Sequence, residues 1–256
     1  MPLTPKQEVI KNVLARELAA FVHPVWVDDD RHNPQLVGSC ALLFVGKGVF
    51  LLTAAHVLDE NTGETLFLVT PTGPVLVEGE KHVSISPSCD PQHNDDPYDV
   101  GVISLNAANA LALSSLPALH LNQCKENAKP MPGALYFACG YPWTKNRKVD
   151  VRRAKVPRRP FAYFTKTYPP AIYQSLGRTW GVHFVVEYNK RHVIRNGRDV
   201  TGPDLPGVSG GLLWHTNGAA HQVVGIITGW PAQRNRTKSI IASHIHFVLR
   251  AIQERR

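Results

Sequence analysis

The sequence predicts an all-β protein built from two similar β units. Short apolar runs of strand length recur along most of the chain, turn-rich stretches separate them, and the second half repeats the spacing of the first. Such a pattern belongs to a β-barrel or sandwich rather than to alternating strands and helices. With 256 residues and 43% hydrophobic content, the chain is long enough to bury a core as one large domain or two small lobes without disulfide staples.

The elements follow in order. Thr4-Pro5-Lys6-Gln7 combines a cap, a proline at the first helical position and the glutamine of a capping box, and Val9, Val13, Leu14 and Leu18 then recur at helical spacing. Residues 1–20 are therefore read as a helical segment. The first β lobe is placed at 21–121, with strands in the runs Val22 to Val27, Cys40 to Val45, Val49 to Ala54, Leu66 to Val69 and Val100 to Leu105. Asp28-Asp29-Asp30 and Pro71-Thr72-Gly73-Pro74 read as turns between them. The polar, proline-bearing stretch 122–132 reads as the linker. The second lobe, 133–242, has runs Ala134 to Cys139, Phe161 to Thr165, His183 to Tyr188, Gly211 to Trp214 and Val223 to Thr228. Ser243 is expected to cap a terminal helix, 243–256, whose stripe of Ile245, Val248, Leu249 and Ile252 should dock on the second lobe. The chain has no repeat of solenoid period and no low-complexity tract.

Composition narrows the function. Cys40, Cys89, Cys124 and Cys139 lie far apart with no C-x-x-C pair, so free thiols are expected rather than a zinc site or a disulfide framework. The first residues lack the apolar core of a secretory signal and no apolar run approaches membrane-spanning length, so a cytoplasmic protein is expected. Much of the formal net charge of +8 lies between Lys145 and Arg159, where Lys145, Arg147, Lys148, Arg152, Arg153, Lys155, Arg158 and Arg159 surround one acid. With Phe161, Tyr163 and Phe164 following, the segment would suit nucleic acid through phosphate contacts and stacking. The other reading is a solvated loop that leads into a strand.

Chemistry is written in three separated places. His56 stands where the apolar run Val49 to Thr53 breaks into Ala54-Ala55-His56, Asp99 opens the run Val100 to Leu105, and Ser209 sits among glycines in Gly207-Val208-Ser209-Gly210-Gly211. A serine hydroxyl is a weak nucleophile that needs a neighbouring base, and the base needs a carboxylate to hold its tautomer and stabilise its charged form. Asp95 and Asp96 compete with Asp99, but their polar run looks solvated. Glycine permits backbone angles that let amides converge, so the N–H groups of Gly207 and Ser209 are expected to form an oxyanion hole.

Through these motifs, and through Gly38-Ser39-Cys40, Gly140-Tyr141-Pro142 and Val224 to Trp230, the chain resembles the trypsin-like (chymotrypsin-fold) serine peptidases over roughly residues 22 to 250. The absence of paired cysteines and the Gly-Tyr-Pro feature look more like bacterial intracellular or HtrA-type members than digestive enzymes. The resemblance implies two antiparallel β-barrels of the six-stranded type. His56 and Asp99 would come from the first and Ser209 from the second, in an endopeptidase that proceeds through an acyl-enzyme and needs no cofactor or metal. It implies that Thr228, Gly229 and Trp230 line the substrate cleft and offer their backbone to an extended polypeptide. By the same resemblance Asp204 and Leu205 fall near the primary pocket, where Asp204 would attract Arg or Lys; a surface-turn aspartate is the alternative.

The departures matter as well. Val208 replaces the aspartate that pairs with a newly cut N-terminus in secreted members, so activation of that kind is not expected. Val57 stands where those members have a cysteine, which leaves Cys40 without a disulfide partner, and Pro206 enters the oxyanion loop with one backbone angle preset. Control by a protein partner or by the oxyanion loop is expected instead. His244 and His246 alternate with Ile245 but have no carboxylate or cysteine near them in sequence, so they are read as structural, as are Trp143, Trp180 and Trp214. The rival function is a catalytically silent protease-fold module that binds protein in its cleft or nucleic acid along 145–159.

Overall fold

The computed structural model describes residues 5–29, 33–59, 66–84, 98–146, 159–191, 193–195, 198–217, 220–230 and 239–254. The first half runs α1 (Pro5–Ala19), β1 (Val22–Asp28), β2 (Pro34–Val45), β3 (Gly48–Ala54), α2 (Ala55–Asp59), β4 (Phe67–Thr70), β5 (Gly73–Leu76), β6 (Gly79–Ser84), β7 (Val100–Leu105), α3 (Ala107–Ala112) and β8 (Ala118–His120). A 3₁₀ turn, Leu121–Gln123, begins the connection to the second half. There follow β9 (Leu135–Gly140), α4 (Trp143–Asn146), β10 (Phe161–Lys166), α5 (Pro170–Ser175), β11 (His183–Glu187), β12 (Val193–Arg195), β13 (Arg198–Val200), β14 (Leu212–Asn217), β15 (Ala220–Gly229), β16 (Ser239–His244) and α6 (Ile245–Gln253).

The protein is mainly β, with two curled antiparallel sheets that form half-barrels, a helix at each end of the chain and four short helices between. The arrangement is compatible with a chymotrypsin-like double barrel. The first sheet has the order β5-β4-β1-β2-β3-β7-β6, with β8 added in parallel beside β2. It therefore has eight strands, two more than a six-stranded unit. The second has six, in the order β10-β9-β14-β15-β16-β11, and β12 and β13 form a separate hairpin.

Burial explains why these segments are strands. In β2 the run Gly38–Leu43 is buried without alternation, as expected of a central strand covered on both faces. One core belongs to the first lobe (Val25, Leu42, Leu51, Val57, Leu58) and another to the second (Tyr136, Phe161, Phe184, Val208, Leu213). A third crosses between them and joins Leu18 of α1, Trp26 and Leu52 to Phe137, Trp214 and Val248. Fully burying a side chain of this size contributes about 1.5–3 kcal/mol, so this shared core holds the two sheets in a set relation.

The terminal helices take part in that core. The last helix packs against β6 and β7 as well as β15 and β16, and Phe247 stacks on Tyr98 at a centroid distance of 3.9 Å. It bridges the lobes instead of docking on the second alone, because its apolar stripe meets the seam where both sheets curl together. Its cap residue is His244 rather than Ser243, since β16 keeps its ladder as far as His244 opposite Gly225. Gly73 and Pro74, expected as turn, open β5 instead, and the reversal is confined to Pro71 and Thr72. Among the described residues no helix is long and apolar enough to cross a membrane.

Candidate active site

Sheet topology brings His56 to Asp99. β3 and β7 pair until Ala54 meets Val100, so the residues just after Ala54 and just before Val100 must emerge side by side. The carbonyl of Asp99 accepts the Ala55 N–H at 3.1 Å. One carboxylate oxygen, Oδ1, accepts the backbone N–H of His56 at 3.0 Å, and the other, Oδ2, lies 2.7 Å from His56 Nδ1. A carboxylate only accepts, so the ring proton belongs on Nδ1, and Nε2 is left with its lone pair as a base.

Two backbone features let this happen. Asp99 has φ 42°, the left-handed region that Asp tolerates better than most residues, and this bend turns its carboxylate back over the first turn of α2. A Cβ on Gly101 would sit 2.6 Å from Leu58 Cδ1 and 3.3 Å from the Ala55 Cα, so glycine is what allows α2 to approach β7. A glycine inside a strand is the sequence signal for such an approach. The His56 side chain is 47% exposed and that of Asp99 24%, so the base faces outward and the acid lies behind it.

The Ser209 loop is fastened to the first lobe. Its Ser209 carbonyl accepts the Ser39 N–H at 2.7 Å, and the Ser39 hydroxyl donates to the Gly207 carbonyl at 2.8 Å. A Cβ at Gly38 would lie 2.7 Å from both methyls of Val57 and 3.2 Å from the Ser209 carbonyl oxygen. Gly38 is thus where the residue after His56 and the Ser209 loop converge. Gly210, at φ 84°, leaves no more latitude: a Cβ there would be 1.8 Å from the Ser39 carbonyl oxygen.

The peptide planes around Ser209 are set by their carbonyls. Trp143 N–H donates to Pro206 O at 2.7 Å, and Gly211 N–H donates to Val208 O at 2.9 Å. In a trans peptide the N–H points opposite to the C=O, so these bonds aim the amides of Gly207 and Ser209 the other way. Among the described residues neither amide has an acceptor. Two oriented, unused donors beside a serine suit an oxygen that gains negative charge. Val208 is buried in the second core against Gly140, where a Cβ would lie 2.7 Å from Val208 Cγ1, so apolar packing anchors this loop.

The remaining candidates fall in different places. Thr228 and Gly229 end β15 beyond Ile226, the last residue paired with β14, so this edge has no strand beside it on the β14 side among the described residues. Trp230 follows and is exposed. Asp204 is 56% exposed and paired with Lys190, while Leu205 is buried in the second core. Of the basic segment, Lys145 and Arg159 are exposed; Arg147, Lys148, Arg152, Arg153, Lys155 and Arg158 lie outside the described residues, as do Asp95, Asp96 and Cys89.

His244 is buried and bonds to the Ala128 carbonyl, and burial lowers its pKa. His246 pairs with Glu126 at 3.3 Å, a carboxylate the sequence places 120 positions away. No metal-holding group of three His, Cys, Asp or Glu occurs among the described residues. Cys40, Cys124 and Cys139 are free; burial raises all three, Cys124 and Cys139 up to about 12, which keeps them as poorly nucleophilic thiols. Trp214 is wholly buried, Trp180 packs edge-on against Tyr173, and Trp143 is exposed beside Pro206.

Ser39, Thr53 and the Trp143 amide are the contributors that residue patterns left without a role. No family model matches the chain, and no curated protein matches it.

Proposed function

We propose that this chain is a serine endopeptidase. The observation that carries the reading is the His56–Asp99 pair at 2.7 Å, set in the lobe to which the Ser209 loop is tied, with the Gly207 and Ser209 amides unused among the described residues. Ser209 Oγ attacks the scissile carbonyl while His56 Nε2 takes its proton. The two amides receive the developing oxyanion, and His56 returns the proton to the departing amine, leaving an acyl-serine. Water, deprotonated by His56, then releases the acid and restores the serine. Asp99 holds the ring in the reactive tautomer throughout. The open edge at Thr228 and Gly229 would take the extended polypeptide by strand addition.

Val208 packed into the core supports an oxyanion loop that is formed without a pairing N-terminus. Asp204, paired with Lys190 and exposed, supplies no reason to assign a preference for Arg or Lys. The silent-module reading gains no support from the described residues, because most of the basic segment lies outside them.

The test is covalent labelling by a fluorophosphonate together with hydrolysis of casein. Both should be lost in Ser209→Ala, hydrolysis by a factor on the order of a million. A wild-type chain that takes no probe, with or without nucleic acid or cell extract, would overturn the proposal and favour a binding module. Labelling that appears only with an added extract would place control in a partner.

A further inference from the structure

We propose that Ser39 is a positioning residue for the oxyanion loop, acting as a hydroxyl clasp between the lobes; this rests on the serine-hydrolase reading above. Ser39 is 0% exposed, and its polar groups are directed at the site. The hydroxyl donates to Gly207 O at 2.8 Å and accepts the Tyr141 N–H at 2.8 Å. Its N–H donates to Ser209 O at 2.7 Å, and its carbonyl accepts Thr53 Oγ1–H at 2.7 Å.

Register explains why these groups are available. β2 pairs with β3 only from Ala41 opposite Leu52, so Ser39 lies beyond that ladder, with its N–H on Ser209 O and its carbonyl on the Thr53 hydroxyl. The main chain of Ser39 is therefore free to bond the nucleophile loop instead of a strand.

The hydroxyl completes the restraint on Gly207. Trp143 holds the carbonyl of the peptide before it, and Ser39 holds the carbonyl of the peptide after it. Gly207 has φ 88°, a conformation that glycine leaves as easily as it enters, so the Trp143 bond that aims its amide and the Ser39 bond on the next peptide together hold this turn in place. A Cβ at Gly207 would meet Tyr141 O at 2.6 Å, so the strand end that bonds Ser39 also limits where the loop can move. The hydroxyl touches neither substrate nor the reacting atoms. It acts through Gly207.

The test compares the full chain with Ser39→Ala and Ser39→Cys, the latter filling nearly the same space with a weak hydrogen-bonding thiol. The readouts are the rate at which a fluorophosphonate modifies Ser209, kcat and KM for a casein-derived peptide, and the thermal transition. The clasp predicts labelling and kcat lower by about 100-fold or more in both variants, the loss typical of one oxyanion donor, with KM within roughly threefold. A lower thermal transition with labelling and kcat within roughly threefold of wild type means packing alone and overturns it. If Ser39→Ala does not fold, Ser39→Cys decides by the same criterion. A wild-type chain that takes no probe overturns the hydrolase reading and the clasp with it, whereas a labelled wild type with unaltered variants overturns the clasp alone.

Discussion

Replacing Asp99 by Asn tests the chemistry with little disturbance of the backbone. Asp99 sits at φ 42°, and Asn enters the left-handed region as readily as Asp, so no strain is added, unlike in Asp99→Ala. The carbonyl bond to Ala55 N–H is untouched. What changes is the pair of contacts to His56. Asn has one oxygen, which stays with the His56 N–H now at 3.0 Å, and its NH₂ then faces Nδ1 across the present 2.7 Å. Two donors cannot share that gap, so the ring moves its proton to Nε2 and loses the lone pair that would accept from Ser209. The wrong tautomer costs about 10⁴ in kcat in the serine-protease template, or about 5.4 kcal/mol of barrier. KM should hold, because the carboxylate lies behind the ring. Stability should fall by about 1–2 kcal/mol as a charged acceptor is lost, a few degrees in the thermal transition. Hydrolysis of a casein-derived peptide, with fluorophosphonate labelling as a second readout, measures the effect. A kcat within tenfold of wild type would refute the assignment of Asp99.

Four further substitutions have expected outcomes. Gly210→Ala should lower stability by roughly 2–5 kcal/mol and abolish labelling, since its Cβ would lie 1.8 Å from Ser39 O at φ 84°. Gly133→Ala, at φ 83° with nothing within 4 Å, should cost only about 1–2 kcal/mol and label normally; equal effects of the two would contradict the packing argument. Asp204→Ala should change stability by less than about 0.5 kcal/mol and leave cleavage of Arg-bearing peptides unaltered, because its pair with Lys190 is exposed; a selective loss would return Asp204 to the pocket. His244, and His215 to a lesser depth of burial, have pKa values lowered chiefly by burial, so the unfolded chain binds their protons first as pH falls below the ordinary value of 6.5. Stability should therefore be full above that pH and decline below it, and His244→Gln should flatten the decline in urea unfolding between pH 7 and 5; an unchanged slope would exclude His244 as its source.

Residue order by itself determined where most strands lie and which three side chains to examine. Val49 to Ala54 and Val100 to Leu105 are strands in the structure because apolar runs bounded by turns are local, and local signals survive without knowledge of the fold. Gly207 and Gly210 were legible as conformational specialists for the same reason, and both adopt positive φ. The choice between pocket and surface turn for Asp204, the bridging course of α6 and the eight-stranded first sheet were not legible, since each depends on how separate segments meet. Only the tertiary structure decided that Asp99 lies against His56, through a ladder that ends at Ala54 and Val100. It alone decided the work of Ser39, which the sequence offered only as part of Gly38-Ser39-Cys40, with no role of its own. Its role arises because β2 outruns its ladder with β3, leaving hydrogen-bonding groups that the Ser209 loop of the other lobe takes up.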